Sequence, residues 1–581
     1  MDAIELGKII AALKLRVDQQ PEAEYNLATF VPIIDFAALA SPNSHIIYGR
    51  NGTGKTHLLK AFGEYCEREY EKTKVLPVYI DCKTLELGTV GPEIDISHLV
   101  FRYYRLFVGK IVETLTGFAT EALKPGLLER VFGGNVVSRR KAIKASIAEL
   151  QAIFRYEAIE ERVKEYRRKR DSQEETKTGT SASLKLSLDK LEPKADAALG
   201  AATGESERRG EAIELVYDGL AVIDYDEVRA KLESILEQIG ATSMILLIDE
   251  WSAIDLTLQP VLAEVIRKTL AVSKRIYLKV VALKYLTRLT AAVKPPQRIG
   301  LQPGVDIFPI ADLDDLLCFD IDGQAVKDFL TLIAYRHCAA HSDTVGKIAL
   351  PDFEAALCSR IFETPAAYLE IVRASEGNPR DFLSLLSACC STTLSKSKPL
   401  SQKDAVKAAV LHFTNAKEAN IKQSGTAIGF LYKKLFERVV QNKQKLFLIT
   451  SELADKDERL RELLHYRFIH LVNPSYTVLT DKLLPHTYAV FSMDYGKLAS
   501  LKAAKAGEQL VLAMTRTAGL LGVTLGSGFL TGYITNALRS AGAGDRLIQV
   551  AGVTVVSAVG VESGNADPET LVRNCVYDDL F

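Results

Sequence analysis

Several things are missing from this chain of 581 residues. It has no excess of either charge: 72 lysines and arginines meet 73 aspartates and glutamates, a formal net charge of −1. No global field draws it to nucleic acid, so any such affinity must come from a local basic patch. Its 8 cysteines are scattered, and none forms a C-x-x-C pair. That argues against a zinc site or a disulfide frame and suits reduced core residues of a cytoplasmic chain. The opening MDAIELGKIIAALKLRVDQQ lacks the basic-then-apolar order of a signal peptide and reads as an amphipathic helix. No repeat of fixed period is visible, and there is no guanine-reading N-K-x-D.

What is present begins with HIIYGRNGTGKT, residues 45–56. Gly49, Arg50, Asn51, Gly52, Thr53, Gly54, Lys55 and Thr56 fit G-x-x-x-x-G-K-[ST] in full. The glycines let backbone N–H groups turn inward around phosphate oxygens. Lys55 can reach the β and γ phosphates, and the Thr56 hydroxyl can ligate Mg²⁺. His57, next along, joins the candidate nucleotide-contacting residues. The loop lies between an apolar run, 44–49, and a helical pattern, 56–72, followed by a second apolar run, KVLPVYIDC, at 74–82. Strand, glycine-rich turn, helix and strand make a βαβ unit of a parallel sheet, with the helix adding its positive end to the loop.

The run SMILLID, 243–249, is too apolar and too short for anything but a central strand. It ends in Asp249 and Glu250. Asp249 can hold the Mg²⁺ shell, and Glu250 can polarise an attacking water. Such a pair favours an additional-strand ATPase over a small GTPase. A helix is expected over 258–272, a buried strand over 275–283 and another over 305–310. The stretch EGNPRD, 376–381, opens a helix, and Arg380 on a lid helix can close over a γ-phosphate. The competing reading of Arg380 is a surface ion pair at a helix start.

Taken in order, these motifs resemble AAA+ and STAND-type ATPases. YGRNGTGKTHLL, LLIDEWSAID with QPVLAEVIRK, LKVVALKYLTRL, LQPGVDIFPIADLDDLL and GNPRDFL resemble bacterial relatives of the origin-recognition ATPases, over residues 25–395. The resemblance implies ATP and Mg²⁺ as cofactors and a homo-oligomer. It also implies a polar sensor at the tip of the strand that follows the Asp-Glu strand, 275–283, for which Lys284 and Thr287 are the candidates, and an arginine finger, for which Arg288 and Arg298 are. Bacterial members of this sort commonly lie in mobile-element or anti-phage defence loci.

The expected fold is α/β: an AAA+-like core over 1–320 with a flexible insertion at 171–212, a helical lid over 321–420, a winged helix over 424–500, and an apolar, glycine-rich module over 501–581. In the winged-helix segment Lys433, Lys434, Lys443, Lys445, Arg459, Arg461 and Arg467 are candidate contacts for double-stranded DNA. Acidic neighbours dilute that face, and a protein–protein module fits the same pattern. The run 518–538 contains no charge and has membrane-spanning length, yet its glycines and hydroxyl residues equally suit a buried helix pair. Two functions follow. One is a slow ATPase that couples nucleotide state to assembly and DNA engagement. The other is an ATP-gated oligomerising switch that acts through a partner effector protein or a membrane by way of the C-terminal module.

Overall fold

The computed structural model describes residues 3–13, 24–85, 96–121, 136–153, 224–294, 297–317, 319, 322–419, 426–441, 445–480, 483–502, 547–550 and 553–556. The insertion expected at 171–212, the run 518–538 and Lys443 lie outside the described residues. The chain divides into two compact units. A sheet unit comprises Ile34–Ile47 and Leu59–Ala311, and a helical unit comprises Met1–Ile33, Tyr48–Leu58 and Asp312–Phe581.

The sheet unit is built on a five-stranded sheet. In chain order its strands are β1 (His45–Tyr48), β2 (Val75–Asp81), β3 (Ser243–Asp249), β4 (Ile276–Ala282) and β7 (Phe308–Asp312). A short antiparallel hairpin, β5 (Thr290–Lys294) and β6 (Gln297–Gly300), precedes β7. The strand order is β2-β3-β4-β1-β7. β2 pairs in parallel with β3, from Val75↔Ser243 to Asp81↔Asp249, and β3 pairs in parallel with β4. The register sets Asp81 directly beside Asp249 at one end of the sheet. β3 and β4 are buried almost throughout, as near-continuous Ile, Leu and Val runs demand when a parallel sheet is covered on both faces. One strand, β4, stands between the strand that feeds the loop at 49–54 and the strand that ends in Asp249. At roughly 4.8 Å per strand, β1 and β3 run about 10 Å apart.

Helices cover this sheet. Leu59, Phe62 and Cys66 of the helix Lys55–Arg68 are buried. Its Gly63 lies so close to β3 that a Cβ would stand 3.2 Å from Leu247. The helix Gln259–Ile266 is wholly buried and carries Pro260 at its start, where the missing N–H costs nothing. With the π turn that continues it, the helix spans 259–271 of the stretch 258–272 expected from the sequence. At Arg267–Ala271 the winding widens to a π turn. There the buried Glu264 takes Arg267 at 2.7 Å and also accepts the backbone N–H of Gly300 at 2.8 Å.

The helical unit gathers both ends of the described chain. Helices Gly323–His341, Pro365–Ala374, Pro379–Lys396 and Gln402–His412 start on side-chain caps: Asp322, Thr364, Asn378 and Ser401. The N-terminal helix Ala3–Ala11 lies against Pro379–Lys396, with Gly7 packed on Leu394. After a π turn at Phe413–Glu418 comes the helix Thr426–Gln441, then β8 (Leu446–Thr450), short helices Ser451–Lys456 and Glu458–His465, β9 (Ile469–Thr480), β10 (Leu483–Met493) and the helix Tyr495–Lys502. The three strands form an antiparallel sheet in the order β8-β10-β9. β9 is one continuous strand paired along β10. Phe468 stacks near Tyr432 at 4.9 Å, and Phe447 on Phe491 at 5.6 Å, joining the helix Thr426–Gln441 and the strands into one core. Within 501–581, β11 (Leu547–Val550) and β12 (Val553–Val556) pair antiparallel. Among the described residues no helix is long and apolar enough to cross a membrane.

Candidate functional site

The loop between β1 and the helix Lys55–Arg68 is held in shape by its own atoms. Gly52 and Gly54 both have φ of +94°, where only glycine is unstrained. The Arg50 carbonyl accepts the Thr53 hydroxyl at 2.9 Å and Lys55 Nζ at 2.9 Å, and the Gly49 carbonyl accepts Lys55 Nζ at 2.7 Å. Lys55 is buried, and a Cβ at Gly49 would press on the Thr53 hydroxyl at 2.7 Å. Beside Gly54 the cradle is open: a Cβ there would meet nothing within 4 Å. A buried ammonium, two glycines with positive φ and a helix start fit a phosphate chain. Among the described residues no group of three or more His, Cys, Asp or Glu could hold a metal ion.

Arg50 anchors the loop to three separate segments of the helical unit. Its Nε donates to Asp314 at 2.6 Å, and its backbone N–H donates to the same carboxylate at 2.9 Å. One terminal nitrogen donates to the Glu376 carbonyl at 3.1 Å, and the other donates to Nδ1 of His470. Asn378 caps the helix Pro379–Lys396 with its oxygen, through the N–H groups of Arg380 and Asp381. Its Nδ2 donates to the Asn51 carbonyl at 2.7 Å, and the Arg380 N–H also reaches the Gly52 carbonyl at 3.3 Å. A Cβ at Gly52 would stand 2.4 Å from Asn378 Oδ1, so glycine is required by the close approach as well as by φ. The preceding Gly377, at φ +73°, leaves no room for a Cβ against the Leu317 carbonyl. The GNPR stretch thus docks on the loop through backbone and asparagine. The Arg380 side chain itself is exposed.

His57 faces the N-terminal segment. Its Nε2 lies 2.8 Å from the Asn26 carbonyl and 3.2 Å from the Thr29 hydroxyl, and its ring meets those of Phe30 and His337 edge-on.

In the sheet unit Asp249 is buried and accepts the Tyr79 hydroxyl at 2.7 Å and the Glu250 N–H at 2.9 Å. Burial and then Asp249 push the Tyr79 hydroxyl far above its usual range, so it stays a donor. Burial, with Asp249 adding to it, also raises Asp81. Glu250 sits in the left-handed region at φ +52°, a strained backbone for a residue with a side chain. Ser252 braces the turn that follows: its hydroxyl accepts the Leu283 N–H at 2.7 Å and meets the Thr287 hydroxyl at 3.2 Å. Thr287 is therefore part of that brace, and Lys284 stands in the short helical turn Lys284–Leu286. Arg288 and Arg298 are both exposed, the first held by its N–H on Gln259 and the second on β6.

In the C-terminal part of the helical unit, Lys433 and Lys434 are exposed on the helix Thr426–Gln441, and Lys434 lies over the exposed ring of Phe430 at 5.5 Å. Arg459 pairs with Asp457, and Arg461 is half-buried. Two of the candidate DNA contacts turn inward. Lys445 is buried against Glu376 at 3.1 Å, and Arg467 pairs with the buried Asp381 at 2.7 Å. Sequence reading passed over Tyr79, Asp314, Asn378 and His470. Asn378 had a local signal, as the residue before the proline of a helix start, whereas the other three depend on long-range packing.

Burial holds three histidines neutral. His45 is lowered to about 4 by burial and Lys279, His337 to about 3 by burial and its neighbours His57 and His341, and His470 to about 3 by burial and Arg50. As pH falls through about 6.5, the unfolded chain takes up these protons and the folded chain does not. Stability from this source is complete above pH 6.5 and declines toward the folded values, by roughly 1.4 kcal/mol per pH unit for each histidine. Thermal midpoints are expected to fall steadily between pH 7 and pH 5; a flat profile would contradict the neutral burial.

A family model described as the bacterial DnaA ATPase domain matches residues 22–88. No curated protein matches the chain. The matched stretch runs from the N-terminal segment touched by His57 through β1, the glycine-rich loop and its helix to β2. It supports an ATP-binding ATPase domain of the AAA+ type.

Proposed function

We propose that this protein hydrolyses ATP and uses the nucleotide state to control self-assembly and engagement of double-stranded DNA. By resemblance, its setting is mobile-element or anti-phage defence. The observation that carries the reading is the strand order, with β4 standing between β1 and β3. This order, with one strand between the strand that feeds the glycine-rich loop and the strand that ends in Asp249, supports an additional-strand ATPase. The match to a DnaA-type ATPase domain over 22–88 supports ATP as the nucleotide.

Lys55 and Thr56 take the phosphates and Mg²⁺, Asp249 holds the Mg²⁺ shell, and Glu250 activates water. Bound Mg²⁺ supplies charge neutralisation on the β and γ oxygens. Arg380 leaves the backbone beside Gly52 and reads the γ-phosphate, while Arg288 or Arg298 serves a neighbouring copy. The element order helix, strand, two helices and two further strands, with the sheet order β8-β10-β9, supports reading residues 424–500 as a winged helix. Its exposed Lys433 and Lys434 make the DNA contact.

The test measures particle mass and ATPase rate with a non-hydrolysable ATP analogue and with duplex DNA. Assembly on analogue, and DNA stimulation lost in Lys433→Ala/Lys434→Ala, is expected. Assembly without any DNA response, together with liposome binding removed by deleting 510–561, would replace this reading with the membrane- or partner-directed switch.

A further inference from the structure

A line of buried polar side chains runs from the glycine-rich loop into the C-terminal part of the helical unit. Lys417 meets Asp494 at 2.5 Å, and Asp494 meets Nε2 of His470 at 2.9 Å. His470 meets Arg50, and Arg50 meets Asp314 at 2.6 Å. Lys417, Asp494 and His470 are almost wholly buried, and the Arg50 side chain is 12% exposed. The hydrogen bonds fix the histidine's tautomer. A guanidinium only donates, so Nδ1 must accept from Arg50, which leaves the proton on Nε2 to be donated to Asp494. Asp494 is itself held still, because it accepts the Gly496 N–H at 2.8 Å and donates its own N–H to the Phe468 carbonyl at 3.1 Å.

Arg50 is also the hub of the loop, since its carbonyl receives both Lys55 Nζ and the Thr53 hydroxyl. Whatever fixes residue 50 therefore fixes Lys55. We propose that His470, on β9, is a positioning residue of the nucleotide loop, acting through Arg50, so that nucleotide affinity depends on the docked C-terminal part of the chain. The proposal rests on reading 49–56 as the nucleotide loop. It makes the segment that carries the DNA-facing lysines a component of the ATP site. Tight binding of nucleotide and docking of β9 are then linked, each favouring the other by the same factor.

The experiment uses the full chain and the dissociation constant of a fluorescent non-hydrolysable ATP analogue. His470→Ala is expected to weaken binding about 10-fold or more, as loss of a partner orienting a binding residue does. His470→Asn, whose amide oxygen can stand in for Nδ1, should recover most of that loss. Arg50→Ala/His470→Ala should bind no worse than Arg50→Ala alone, because the two residues act as one unit. A merely structural histidine would lower the thermal midpoint and leave the affinity of the folded protein unchanged. Should His470→Ala fail to fold, Arg50→Lys and His470→Gln carry the same cycle. Affinity within twofold of the parent, or strictly additive effects, overturns the proposal. Lys55→Ala separates the two failures. If it binds analogue like the parent, the nucleotide reading itself falls. If it loses binding while His470→Ala keeps it, only the positioning role does.

Discussion

Lys55→Ala is expected to lose ATP binding by roughly 100-fold or more, the effect of removing about 3 kcal/mol of a desolvated charge contact. Two features make the expected effect large. The ammonium is buried at the centre of the loop, where its attraction for phosphate is weakly screened. It also ties together the carbonyls of Gly49 and Arg50, which would be left without that donor. The variant should therefore lose affinity and loop order together. Titration calorimetry with ATP and Mg²⁺ measures the first. A retained dissociation constant, within threefold of the parent, would mean that 49–56 does not hold a nucleotide.

Glu250→Gln should separate binding from chemistry. A positioned general base contributes about 10²- to 10⁴-fold to rate, and glutamine keeps the size and polarity of the side chain while losing its basicity. ATP hydrolysis should fall by that factor with ATP affinity preserved, and any ATP-driven assembly should persist rather than reset. The left-handed backbone of Glu250 adds a reason to look there, since strain of about 1–3 kcal/mol at a residue with a side chain is usually kept for function. An unchanged hydrolysis rate would end the water-activating assignment and favour a scaffold that nucleotide merely stabilises.

The sheet was legible where composition alone decides. HIIY, VLPVYID, SMILLID and IYLKVVA are β-branched and apolar runs of strand length, and each is a strand. The hairpin β5–β6 was not legible. TAAVK and QRIG are short and carry charge, and they are held by pairing and by Glu264 rather than by propensity. SELADK, at Ser451–Lys456, has no apolar stripe of its own beyond Leu453 and Ala454, and forms a short helix between β8 and the next helix. Of the candidate site, the glycine loop and the Asp-Glu pair stand out because their chemistry is local in sequence. Asp314 and His470 could not be found that way. A single aspartate in a run of them and a single histidine in a strand acquire meaning only when folding brings them to Arg50. The inward turn of Lys445 and Arg467 has the same cause, since a count of basic residues cannot tell a charge that faces solvent from one paired inside.

The pairing of Arg467 and Lys417 with Asp381, and of His470 and Lys417 with Asp494, has a consequence for how such chains can recombine. A C-terminal segment swapped in from a relative would bury its own set of charges against Arg50, Asp381 and Lys417. Unless it brought an arginine, a histidine and an aspartate in register, the junction would strand an unpaired ion in the interior, at about 3–5 kcal/mol. The apparent seam after residue 420 is therefore a poor place to shuffle. Productive exchanges of DNA- or partner-reading surfaces should be confined to the exposed face of the helix Thr426–Gln441, where Phe430, Lys433 and Lys434 can change without disturbing the ions beneath.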